Sequence, residues 1–166
     1  MINEIDREIL EILQEDARTS NAEIARRLGM APSAIYERIK KLEKRGIIRG
    51  YHASLCSEAT GLGLLAYIFI DSHEPLGVSD IGHKLAGIPE VQEVHHVAGE
   101  DCYIVKIRAE NPDDLWELMK DKLGQIGSIQ TRTSIVLETL KETSELPLRT
   151  PVEQHSGAKR NGKGND

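Results

Sequence analysis

Residues 20–46 read SNAEIARRLGMAPSAIYERIKKLEKRG. Two short helices and the tight turn between them are written into this stretch. Ser20 and Glu23 have the S-x-x-E spacing of a capping box, in which a hydroxyl and a carboxylate each satisfy a backbone amide orphaned at the start of a helix. Ile24, Ala25 and Leu28 supply an apolar side. Gly29 marks the stop, because the left-handed conformation that ends many helices costs glycine little. Only Met30 and Ala31 then precede Pro32, whose fixed φ and missing N–H suit the first position of another helix. That helix runs to about residue 45, carries Ile35, Ile39 and Leu42 as its inner stripe, and ends at Gly46. Two helices joined by a short glycine-containing turn, the second of them basic, describe a helix-turn-helix.

Upstream, residues 3–14 place Ile5, Ile9, Ile12 and Leu13 at helical spacing between charged residues, which predicts an amphipathic first helix. The basic helix puts Ser33, Glu37, Lys40 and Lys44 opposite its apolar stripe, with Tyr36 and Lys41 on the flanks. The whole chain carries a net charge of −6, yet residues 31–53 hold six Lys and Arg against two Glu, a local balance of +4. Such a face fits the major groove of double-stranded DNA: Ser33, Tyr36, Glu37 and Lys40 near base edges, Arg38, Lys41, Lys44 and Arg45 near phosphates. For Glu37, a cytosine contact competes with an ion pair to Lys41 four residues on. Residues 47–53 read as a short strand and 56–61 as a linker.

The pattern then changes. Residues 64–70 form a continuous apolar strand-like run, 78–85 an amphipathic helix, 91–97 an alternating strand, 102–107 a β-rich strand, 111–123 a helix opened by Asn111-Pro112, and 129–140 a last strand. The order βαββαβ is the split βαβ, or ferredoxin-like, arrangement, so the chain is expected to be α+β. Expected domains are a helix-turn-helix domain at 1–60, a ferredoxin-like domain at 61–148 and a disordered tail at 149–166, which has almost no apolar residues.

Residues 95–103, HHVAGEDCY, gather two histidines, two carboxylates and a cysteine. A metal would need these side chains to converge at about 2 Å on one ion. Adjacent strand residues point to opposite faces, so His95 and His96 do not share an ion on an unbroken strand. Cys102 opens a strand rather than a helix, which leaves it without the usual means of lowering a thiol pKa. The expectation is therefore no metal, no cofactor and no catalytic residue.

The ordered set Ile5-Asp6-Arg7-Glu8-Ile9-Leu10, Asn21-Ala22-Glu23-Ile24-Ala25, Ile35 through Glu43 and Gly46-Ile47-Ile48 resembles the Lrp/AsnC (feast/famine) transcriptional regulators. The resemblance continues in Gly99-Glu100-Asp101-Cys102-Tyr103-Ile104-Val105-Lys106, similar to the family's effector-loop motif G-D-x-D-x-x-x-K, and in Thr133 through Glu138. It covers about residues 2–148. It implies a winged helix-turn-helix domain joined to a domain that senses a small-molecule effector, usually an amino acid, and assembles the chain as a homodimer or higher homo-oligomer. On that implication the effector is held by Gly99, Glu100, Asp101, Cys102 and Tyr103, with Thr131, Thr133 and Ser134 from the closing strand. Backbone amides at the turn would receive a ligand carboxylate. Two positions depart from the family pattern: Ala31 stands where a capping Ser is common, and Cys102 where the second Asp is common.

The longest apolar run, 62–70, is less than half of the roughly 20 residues needed to cross a bilayer. No secretory signal is read at the start, and two cysteines without CxxC spacing suit a reducing compartment, so the expected location is the cytoplasm. Two other readings compete with the effector-responsive regulator. One is an architectural DNA-binding protein blind to effectors. The other is an enzyme like the sirohaem decarboxylases, which resemble this family, and the intact basic helix speaks against it.

Overall fold

The computed structural model describes residues 2–75 and 78–148, so the expected tail at 149–166 lies outside the described residues. Among the described residues two compact units are present, one of residues 2–53 with 143–148, the other within residues 54–142. These limits differ from the expected 1–60 and 61–148. Residues 54–60 belong with the sheet because Arg108 Nη1 donates to Ser57 Oγ at 3.0 Å, and 143–148 return to the helices.

The helical unit contains α1 (Glu4–Glu15), α2 (Asn21–Leu28) and α3 (Pro32–Lys44). Asn3 caps α1 by accepting from the Asp6 N–H at 2.8 Å. Ser20 caps α2 by accepting from the Glu23 N–H at 3.2 Å. The second half of the expected capping box is not made: the Glu23 carboxylate turns to Arg26 and Arg27, at 2.7 and 2.9 Å. Those two guanidiniums hold its pKa down at about 2. Gly29 ends α2 at φ 63°, where the left-handed backbone lets the Met30 N–H reach the Ala25 carbonyl. Ala31 offers α3 no side-chain cap, while Pro32 removes one donor that would need one.

Ile9, Ile24, Ile35 and Leu42 are fully buried at the centre of this unit, with Leu10 and Ala25 beside them. Leu10 takes the inward place expected of Ile5, which lies exposed. The strand expected at 47–53 is absent: Ile47 and Ile48 pack on the core, but both of their amides turn back to the Leu42 carbonyl, at 2.9 and 3.3 Å. Among the described residues this unit therefore shows no wing strand.

The second unit is built from β1 (Leu64–Ser72), α4 (Asp80–Ala86), β2 (Val91–His96), β3 (Tyr103–Ala109), α5 (Pro112–Asp121) and β4 (Ile129–Ile135), with a single 3-10 turn after α5. The strand order β2-β3-β1-β4, with all neighbours antiparallel, is the ferredoxin-like arrangement. The final strand stops at Ile135 rather than continuing to 140; the Val136 N–H makes the last bond to β1, and Leu137 is wholly exposed.

Strand alternation divides the sheet. Ala66, Ile68, Ile70, Tyr103, Val105 and Ile107 face α4 and α5 in one core with Leu85, Leu115 and Leu118. Tyr67, Phe69, Ile104, Lys106 and Arg108 occupy the opposite face. Lys106 is buried there even so, bound by Glu93 at 3.2 Å and by Glu142. Burial pulls its pKa down, but the bonds from Glu142 and Glu93 outweigh it and the net movement is upward. Glu142 is held below its ordinary 4.5 chiefly by Lys106, and Glu93 chiefly by His95.

A lowered carboxylate pKa contributes stability that is complete above the ordinary value and is lost as pH falls through the folded value. The raised Lys106 pKa works on the other side, and its contribution disappears only as pH rises through the lysine range. We therefore expect urea midpoints that fall with acidity below about pH 4.5, and a shallower fall in Glu142→Gln. An unchanged acid slope in that variant would remove the network from the account.

Candidate DNA-binding and effector sites

The inner stripe of α3 is consumed by the core, and the outer face is left to solvent. Ser33, Tyr36, Glu37, Lys40, Lys41, Lys44 and Arg45 are all exposed. Lys40 Nζ lies 5.5 Å from the centre of the half-exposed Tyr36 ring, close enough for the ring face to attract the ammonium. No ion pair joins Glu37 to Lys41 among the described residues. Glu43 instead accepts from the Tyr51 hydroxyl at 3.0 Å; burial first, and then that carboxylate, push the Tyr51 pKa up to about 12.

Arg38 behaves differently from its neighbours. Its Nη1 donates to Asp6 Oδ1 at 2.8 Å, and the two side chains are only 29% and 11% exposed. A guanidinium so engaged ties α3 to the first turn of α1, which gives Arg38 a positioning role. Asp6 was not singled out by sequence because an acidic residue early in a helix ordinarily serves only the helix dipole.

The turn after β2 is shaped by backbone bonds. The Val97 N–H donates to the Cys102 carbonyl, and the Cys102 N–H to Ile70, both at 2.9 Å. Gly99 is exposed, has no left-handed φ, and a Cβ built on it would meet nothing within 4 Å. The turn thus needs no glycine there.

Asp101 Oδ2 receives Arg132 Nη2 at 2.8 Å, and the Arg132 guanidinium lies 4.2 Å from the centre of the Phe69 ring. The Cys102 thiol points to Asp71 Oδ1 at 3.5 Å and to the Ser72 carbonyl at 3.4 Å. Sequence reading missed Asp71 and Arg132. Alternation along β1 and β4 placed both on the open face, but only the pairing register brings those strands to the turn.

Tyr103 is 2% exposed, its ring stacked on His96 at 4.7 Å and its hydroxyl donating to Glu74 at 2.8 Å. Burial first, and then Glu74, raise its pKa. Glu74 in turn accepts from the Ile81 N–H at 3.0 Å, the largest cause of its own lowered pKa. Tyr103 is therefore a core residue rather than an open ligand contact. Thr133 donates to the Met119 sulfur at 3.5 Å on the helix side, the side that Thr131 shares. Ser134 lies on the open face, next to Arg132, and Glu100 is exposed at the tip. The eight expected effector residues are thus split between two faces. The two histidines also part: His96 stacks on Tyr103, and His95 pairs with Glu93 at 3.0 Å. Among the described residues no three metal-ligating side chains come together.

A three-helix unit with an exposed basic third helix, followed by a ferredoxin-like unit, defines a helix-turn-helix regulator carrying a second, ligand-binding domain. The winged helix-turn-helix DNA-binding family matches residues 2–49, and the Lrp/AsnC ligand binding domain matches residues 65–146. The chain belongs to the Lrp/AsnC family of transcriptional regulators. It is 38% identical to the HTH-type transcriptional regulator FL11 of Pyrococcus horikoshii over 89% of this chain and 97% of that one. It is 32% identical to the leucine-responsive regulatory protein of Escherichia coli over 90% and 93%. Among solved structures, a transcriptional regulator of Neisseria meningitidis in complex with L-methionine superposes with a TM-score of 0.81 at 30% identity, covering 89% and 97%. The feast or famine regulatory protein of Mycobacterium tuberculosis complexed with L-methionine gives 0.81 at 31%, covering 88% and 99%.

Asp6→Ala is expected to lower stability by about 1–3 kcal/mol, because it strands a half-buried guanidinium. Urea unfolding measures this, and a loss no larger than that of the exposed Glu15→Ala would contradict the clamp.

Proposed function

We propose that this regulator reads duplex DNA with the outer face of α3 and responds to an amino acid bound at the turn after β2. The observation that carries the reading is the division of α3 itself: Ile35 and Leu42 are buried while Lys40, Lys41 and Lys44 stand free of the core on one exposed side. Ser33, Tyr36, Glu37 and Lys40 lie toward base edges, and Lys41, Lys44 and Arg45 toward phosphates. Arg38 acts behind them by holding the helix.

At the turn, Asp101 is the carboxylate suited to a ligand ammonium, and Arg132, which it now binds, is the cation suited to a ligand carboxylate. Glu100 stands at the motif's first acid and a thiol, Cys102, at its second, so Asp101 between them supplies the other carboxylate of the turn. Open space over Gly99 permits close approach of a ligand to the backbone. The two methionine complexes and the leucine-responsive relative support an amino acid as the ligand class. The chain works as a homodimer or larger homo-oligomer in the cytoplasm, and the ligand acts by favouring one assembly geometry over another, which changes the placement of the DNA-binding units.

Lys40→Ala combined with Lys44→Ala tests the first half. Affinity for duplex DNA should fall, and the dependence of log affinity on log salt should become shallower by about 2; equal affinity and slope would remove α3 from the interface.

Gly99→Thr tests the second half. The unliganded melting temperature should stay within about 1 °C, since a surface change without strain costs little, while any thermal shift given by L-methionine or L-leucine should be lost. A retained shift would place the ligand elsewhere.

A further inference from the structure

Asp71 lies near the end of β1 on the open face of the sheet, beside the turn that follows β2. The Cys102 N–H donates to the Ile70 carbonyl at 2.9 Å, which draws the start of β3 alongside, and the Cys102 thiol reaches Asp71 Oδ1 at 3.5 Å. A thiol is a weak hydrogen-bond donor and a poor counterpart for a carboxylate. Among the described residues no Lys, Arg or His forms an ion pair with Asp71, although its side chain is half-buried. The cations of this face are engaged by other acids. Lys106 and Arg108 are bound by Glu93 and Glu142. Arg132, held over the Phe69 ring, is bound through Nη2 by Asp101. One guanidinium thus serves two half-buried carboxylates, Asp101 and Asp71. Glu100, the third acid of the region, is exposed at the tip, where water and salt screen it.

We propose that Asp71 is a specificity-determining residue of the effector site, which receives a cationic side chain and selects the basic amino acids as the ligand class. The inference rests on the turn after β2 as that site. A neutral amino acid brings one ammonium and one carboxylate. These match Asp101 and Arg132 and leave Asp71 facing neither, so a ligand lying over it removes water from a carboxylate that gains no partner. A basic amino acid brings a second cation, and two cations with one carboxylate complement two carboxylates with one guanidinium. The α-ammonium then meets Asp101, the ligand carboxylate meets Arg132, and the side-chain cation donates a charge-assisted hydrogen bond to Asp71.

Isothermal titration of the full-length protein compares L-lysine with L-norleucine, which has the same carbon chain without the terminal ammonium. L-Lysine should bind about tenfold to a hundredfold more tightly. Asp71→Asn keeps the size of the side chain and an oxygen for the Cys102 thiol but removes the charge. In that variant L-lysine should fall to the level of L-norleucine, whose own affinity should stay close to that for the unaltered chain. Equal or tighter binding of L-norleucine by the unaltered chain would overturn the inference, as would a lysine preference that survives in Asp71→Asn. The first comparison uses no variant, so it decides the matter even if the substitution lowers stability. Failure of the effector site itself shows differently: neither ligand binds, or binding persists in Gly99→Thr, and either result overturns both readings.

Discussion

Everything the helical unit does depends on the burial of one side of α3. Ile35 and Leu42 disappear against Ile9 and Ile24, and each such side chain contributes about 1.5–3 kcal/mol of transfer free energy. Because a helix has a period near 3.6, burying that stripe fixes which residues remain outside. Lys40, Lys41 and Lys44 are presented to solvent as a consequence of hydrophobic packing, before any electrostatic argument is made. The Asp6–Arg38 pair adds what packing lacks, a directional bond that resists rotation of α3 about its own axis.

The sheet obeys a period of two with the same rigour. Alternation sends Tyr103 and Thr133 toward the helices and Asp101's partner Arg132 to the open face, so a contiguous motif in sequence does not make a contiguous site in space. In the proposed effector site, the turn's chemistry rests on Asp101, Arg132 and the backbone. Cys102 is satisfied by Asp71 and Ser72, which accounts for a thiol at this position in structural terms without giving it a reaction to perform.

Much of this was legible in the chain alone. Ser20, Gly29, Pro32 and Gly46 punctuate the helices by mechanisms that act within a few residues, and the apolar periodicities of α3 and β1 are local as well. What escaped was non-local. Arg38 looked like a phosphate ligand because nothing in its neighbourhood reveals Asp6, which lies 32 positions away. Residues 47–53 read as a strand because Ile47 and Ile48 have the side chains of one, while their amides had already been claimed by the Leu42 carbonyl. The return of 143–148 to α1 had no signal either, since Gln14 is an unremarkable helix residue until Leu146 arrives beside it.

The central claim is that the outer face of α3 meets DNA, and amine-reactive footprinting of the intact protein tests it most directly. Lysine acetylation is quantified by peptide mass spectrometry with and without duplex DNA. The account predicts protection at Lys40, Lys41 and Lys44, with Lys84, Lys120 and Lys141 of the sheet unit modified equally in both samples. Protection of the sheet lysines with α3 still reactive would contradict it.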